Sequence, residues 1–186
     1  MFSSATKPIV AISALLSYAA IFSGSASASE VNFLSGSAFE KVATAHNIDP
    51  ILLYSVSLAE SRKFIKSENA TYPHQLVVRS PEGAKYFNTR EAAVKHLDHV
   101  VATYKKYEID VCAMQINLGW NGHLVDHNYS TLFDIETCLN AGSTVLKKAM
   151  TSEKNDDELA IGRYHTWKDQ DRARRYGRSV IAIWNA

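Results

Sequence analysis

The sequence predicts a mainly α, α+β domain: a helical body carrying one small β-hairpin. Three observations predict it. Apolar residues recur three and four apart along most of the chain, the spacing of one helix face. These runs open on side chains that cap helices, namely Ser37, Asp49, Asn88 or Thr89, and Asp134. Only one stretch, 74–88, carries strand-like runs around a Pro and Gly turn. A length of 186 residues with 46% apolar content suits a single core. A formal net charge of +1 gives no global pull toward nucleic acid, which is not an expected partner.

The elements follow in order. "SAFEKVATAHNI" opens on Ser37 with Glu40 three residues later, a capping-box pattern that predicts a helix over 37–47. Asp49 caps the next helix and Pro50 takes its first position, where a missing N–H costs little. That helix runs to about Arg62. "HQLVVRSPEGAKYFN" predicts the hairpin, turning at Pro81 and Gly83. A long helix, "REAAVKHLDHVVATYKKY", then places Val94, Leu97 and Val101 on one face. "CAMQINLGWNGH" reads as loop or short helix. Asp134 starts "IETCLNAGSTVLKKAM", Asn155 and Glu158 form a second capping pattern, and "DRARRYGRSVIAIW" closes the chain.

Residues 1–28 stand apart from this domain. Lys7 precedes an apolar run, "PIVAISALLSYAAIF", that is too short to span a bilayer comfortably. Ala26-Ser27-Ala28 then offers a small-residue cleavage site. This is the pattern of a secretory signal peptide cut after Ala28, with an uncleaved anchor as the alternative. The mature domain is then 29–186, without a membrane span, and the loss of Lys7 leaves it formally neutral. Outside the cytosol, two cysteines favour one disulfide, Cys112 to Cys138, over two buried thiols. It would close a loop of about 27 residues, worth roughly 3 kcal/mol.

The chemistry begins at "DPILLYSVSLAESR". Leu53, Val56 and Glu60 share one helix face, so an acid sits at the edge of an apolar surface. Desolvation and the negative end of the helix dipole both disfavour its charged form. A carboxyl still protonated near neutrality is what a general acid must be. The structural alternative pairs Glu60 with Arg62 or another cation.

"AHNIDPILLYSVSLAESR" resembles the opening catalytic motif of the goose-lysozyme-like lytic transglycosylases. "DVCAMQIN" is similar to that family's MQIN motif, and "AIGRYHTW" with "RARRYGRSVIAIW" resembles its third motif and closing helix. The hairpin with "YFNTREAA" is similar to the branch associated with conjugation, type IV pili and type IV secretion. The resemblance covers most of 38–184 and implies a lysozyme-like α+β fold. It also implies Glu60 as catalytic acid, Ser61 as the residue that helps orient it, and Met114, Gln115 and Asn117 as lining of the sugar groove. Tyr164 would bring its hydroxyl near the carboxyl. One departure stands out: Cys112-Ala113 occupies the place of a glycine-containing pair.

The resemblance further implies a periplasmic enzyme acting on peptidoglycan glycan strands, serving a pilus, conjugation or secretion machine, with no cofactor or metal required. Asp110 could supply a second carboxylate and make the enzyme a hydrolytic muramidase, or it could brace its loop. A non-catalytic, wall-binding assembly subunit is the reading from another class. Other patterns have simpler accounts. His123 and His127 are spaced like metal ligands, but solvated histidines are the default. Arg172, Arg174, Arg175 and Arg178 form a solvated helix face or attract anionic wall polymers. Trp120, Trp167, Tyr164 and Tyr176 could stack on sugar rings, while Trp184 packs in the core.

Overall fold

The helix caps expected from the sequence position most of the helical body. In the computed structural model, which describes residues 33–186, Ser37 caps α1 (Ala38–His46) by accepting from the Glu40 N–H. Glu40 reaches back one residue beyond the cap and accepts from the Gly36 N–H at 2.7 Å. Asp49 caps α2 (Pro50–Ser61), accepting from the Ile51 and Leu52 N–H groups. Thr89 caps α3 (Arg90–Thr103) and Asp134 caps α5 (Ile135–Thr151). α4 is a single turn, Leu118–Asn121. The signal peptide expected over 1–28 lies outside the described residues. Among the described residues no helix is long and apolar enough to cross a membrane.

Three boundaries differ from expectation. α6 (Asp157–Gly162) is capped by Asp156, which accepts from the Leu159 N–H at 2.8 Å; Asn155 is one residue too early. α3 stops at Thr103 rather than Tyr107, because Tyr104 turns extended and Lys106–Glu108 forms a separate 3-10 turn. The Glu108 carboxylate accepts from the Lys105 N–H at 3.2 Å, which favours that separate turn over helix continuation. α7 runs from Gln170 to Trp184, capped by Asp169.

The β content exceeds one hairpin. β1 (Arg62–Ile65) leaves α2 directly and pairs with β2 (Ala70–Pro73). β3 (Val77–Ser80) and β4 (Gly83–Tyr86) form the expected hairpin. β5 (Asp110–Val111) then pairs with both β3 and β6 (Ile116–Asn117), giving an antiparallel sheet in the order β4-β3-β5-β6. The segment expected as loop or short helix is therefore a tight β-hairpin followed by α4. The result is a mainly α, α+β fold.

α2 runs through the centre. Leu52, Leu53 and Val56 are buried, and the helix packs on α1, α7 and the β1–β2 end. α5 lies against α1 and carries Cys138, Leu139 and Leu146 into the same core. α6 and α7 approach backbone to backbone. A Cβ on Gly177 would lie 1.9 Å from the Glu158 carbonyl oxygen, and one on Gly162 would lie 2.0 Å from that of Ala173. Backbone cannot yield as a flexible side chain can, so both positions require the absence of a side chain. Gly177→Ala is expected to force α6 and α7 apart and destabilise the protein by about 1–3 kcal/mol in urea denaturation, more than a surface substitution on α7.

Candidate active site

Glu60 occupies the last turn of α2, with Ala59 and Ser61 turned toward neighbouring elements. Its Oε1 is buried and has no hydrogen-bond partner. The ion pair with Arg62 that would make this acid structural does not form: among the described residues no cation lies within ion-pair distance of Glu60. Burial is the dominant influence and pushes the Glu60 carboxyl up to about 7. Tyr176 opposes it, Asp110 reinforces it, and Arg79 opposes it. The Tyr176 hydroxyl lies close enough to Glu60 to favour the carboxylate by hydrogen bonding, but among the described residues neither Glu60 Oε1 nor Tyr176 Oη meets a partner at full hydrogen-bonding geometry, and both are buried. Buried polar atoms without a partner are uncommon, and a catalytic role is one of the explanations for them.

Asp110 of β5 lies close enough for its charge to act on this carboxyl, and the turn from β5 to β6 follows it. Cys112 and Cys138 form the expected disulfide, spanning 26 residues of sequence. Cys112 has φ 66° and Gln115 φ 47°, both in the left-handed region. For a side-chain-bearing residue that conformation costs about 1–2 kcal/mol. The missing glycine noted in the sequence thus does not abolish the turn; the bond to α5 and surrounding hydrogen bonds hold it. The Gln115 side chain donates to the Cys112 carbonyl at 3.0 Å, and the Met114 N–H lies 3.4 Å from Cys138 Sγ. Ser57 of α2 donates to the Ala113 carbonyl at 3.3 Å.

The other expected residues distribute as follows. Tyr164 donates its hydroxyl to the Met114 carbonyl at 2.6 Å, and burial followed by the charges of Glu60 and Asp110 raises its pKa well above the ordinary value. Met114 does not line a groove with its side chain: it is 0% exposed and packs against Gly142, where a Cβ would meet its Cε at 2.5 Å. Asn117 caps α4, accepting from Gly119 and Trp120, and donates to the Tyr107 carbonyl and to Asp110 Oδ1 at 2.9 Å each. Ser61 does not hydrogen-bond the Glu60 carboxyl. Its hydroxyl donates to the Ser57 carbonyl and accepts from the His74 N–H, pinning the end of α2 to the segment after β2.

Two residues join the site that the motifs did not assign to it, Arg79 and His165. Arg79 is opposite Asp110 in the β3–β5 register and acts on Glu60, Asp110 and His165. His165 stacks on Tyr176 with ring centroids 4.9 Å apart and planes 5° from parallel, which occupies one face of the Tyr176 ring. Burial, then Arg172 and Arg79, lower the His165 pKa, and Asp110 opposes them. His165 lies beside Tyr164 in sequence, which was the available signal; nothing in the sequence marks Arg79. Asp110 is raised by burial and held down by its bond from Asn117.

Two indoles remain at the surface. Trp120 is 69% exposed and meets Tyr107 edge to face, while Trp167 lies under Lys148 and Arg163. His123 and His127 do not share a helix face, because Gly122–Val125 is a 3-10 turn and His127 has φ 60°. No family model matches the chain, no curated protein matches it, and no solved structure matches it.

Two outcomes are expected from this geometry. A raised Glu60 pKa means the folded state holds more protons than the unfolded chain between pH 4.5 and about 7, so stability is present below 4.5 and lost as pH rises through 7. Glu60→Gln should therefore stabilise the protein at about pH 8 relative to wild type, by up to about 3 kcal/mol more than at pH 4.5, in urea denaturation. Tyr164→Phe leaves the Met114 carbonyl without its buried donor and should cost about 1–3 kcal/mol by the same method.

Proposed function

We propose that the protein is a periplasmic peptidoglycan lytic transglycosylase that cleaves the β-1,4 bond between N-acetylmuramic acid and N-acetylglucosamine. It opens the wall locally for a pilus, conjugation or secretion machine. The observation that carries this reading is the Glu60 carboxyl, buried at one oxygen and pushed up to about 7. The motif resemblance supplies the substrate.

The chemistry needs one group that gives a proton and takes one back. Protonated Glu60 donates to the glycosidic oxygen, and the C1–O bond breaks. The neighbouring acetamido oxygen stabilises the electron-poor C1. The Glu60 carboxylate then removes the proton from the C6 hydroxyl, whose oxygen bonds to C1 and closes a 1,6-anhydro ring. Glu60 ends protonated, and no water is consumed. The environment suits both halves: burial favours the neutral acid before cleavage, and Tyr176 and Arg79 favour the carboxylate formed by it. Tyr164 ties the third motif to the MQIN loop rather than to the carboxyl itself.

A hydrolytic muramidase is the second reading, favoured by Asp110, whose charge is felt at Glu60. The bond from Asn117 to Asp110 Oδ1 supports a bracing role for that carboxylate instead. Muropeptide mass spectrometry separates the two, since anhydro ends are one water lighter than reducing ends. The expected product is anhydro. Glu60→Gln should reduce clearing of peptidoglycan gels about 10²–10⁴-fold, and wild-type activity should decline as pH rises through 7, where Glu60 loses its proton. Equal clearing by wild type and Glu60→Gln removes the catalytic assignment of Glu60, and no clearing by either leaves the wall-binding reading.

A further inference from the structure

The four arginines of α7 do not share one fate. Arg174 pairs with Asp156 at 2.9 Å and Arg178 with Glu158 at 2.9 Å, fastening α7 to α6. Arg172 lies 3.6 Å from Asp169 at the start of its own helix. Among the described residues the Arg175 guanidinium has no ion pair or side-chain hydrogen bond, and neither has that of Arg62 at the end of α2. Arg62, Arg172 and Arg175 converge on one cleft of about 330 Å³, whose wall includes His165, Tyr176 and Ser179. No carboxylate lines it.

Arg62 and Arg175, free of ion pairs among the described residues, share a concave wall with Arg172, and guanidiniums so placed repel one another and concentrate positive potential. Arginine's planar fork matches a carboxylate through two parallel N–H donors. The cleft also shares Tyr176 with the Glu60 environment, and Arg62 is two residues from that acid. An anion seated there would lie beside the Glu60 environment, separated from it by Tyr176.

We propose that this arginine cleft is a subsite for the carboxylates of the peptide stems borne by the glycan strand. The inference rests on the peptidoglycan reading, since it takes the stem as the part of that substrate that carries carboxylates. The cleft would select stem-bearing muramic residues and set which glycosidic bond reaches Glu60. The other two arginines of α7, Arg174 and Arg178, serve the fold through their ion pairs with Asp156 and Glu158.

The test is binding of an isolated, soluble stem tetrapeptide, followed by NMR titration of full-length protein carrying Glu60→Gln, so that no turnover intervenes. Saturable binding is expected, weakened by added salt. Arg62→Gln with Arg175→Gln should weaken it about tenfold or more. Lys66→Gln with Lys95→Gln, which removes the same charge from exposed positions elsewhere, should leave it unchanged. Both arginines are exposed, and matching thermal melts would exclude unfolding as the cause. Equal binding by the arginine pair and the parent, or undiminished binding of a stem peptide with amidated carboxylates, overturns the proposal. Binding of inorganic phosphate without binding of the stem overturns it as well. Gel clearing by the wild type is read separately: its absence together with stem binding defeats the enzymatic reading while keeping the subsite.

Discussion

Much of the site depends on a turn that is unfavourable by itself. Cys112 adopts a backbone conformation usually left to glycine, and its bond to Cys138 in α5 keeps it there. From that fixed point Met114 is driven into the core against Gly142, and its carbonyl is presented to the Tyr164 hydroxyl. Ser57 holds the same turn from the α2 side. Three elements distant in sequence, α2, the β5–β6 turn and the segment after α6, are thereby brought to one place. A strain of about 1–2 kcal/mol is small beside a disulfide worth roughly 3 kcal/mol and several buried hydrogen bonds.

At Glu60 the balance runs the other way, since burial exceeds the partners available to offset it. Moving the carboxyl from 4.5 to about 7 corresponds to roughly 3 kcal/mol of disfavoured charge. Tyr176 and Arg79 recover part of what water would have supplied, and Asp110 subtracts from that recovery. The fold thus tolerates a local cost at one atom, and the tolerance is affordable because Leu53 and Val56 on the same helix are wholly buried. A fully satisfied carboxylate at this position would be a better structural residue and a poorer proton donor.

The helices were legible because their signals are local. Asp49 with Pro50, Thr89 and Asp134 each announce a start within three residues. Asp156 replaced Asn155 because either side chain can cap, and the choice depends on a long-range bond from Arg174 to Asp156. The β1–β2 pair was hidden because β1 continues α2 without a break and its burial alternates only weakly. Two-residue strands such as β5 and β6 carry no periodicity at all. Within the site, Glu60 could be found from helix spacing, since one helix sets its face. Arg79 and His165 could not, because their proximity to Glu60 follows from strand register and helix packing. Met114 was misplaced for a related reason: a motif fixes which residue is present, whereas the sign of φ at Cys112 bears on which way the turn points.

The side-chain-free contact between α6 and α7 has a mechanical consequence. Helices separated by no more than carbonyl oxygens, and clasped by Arg174 and Arg178, cannot slide past one another without a collision. Tyr164 just beyond α6 and Tyr176 on α7 are thus carried on a single stiff strut. A displacement of either tyrosine must therefore carry the other along with it.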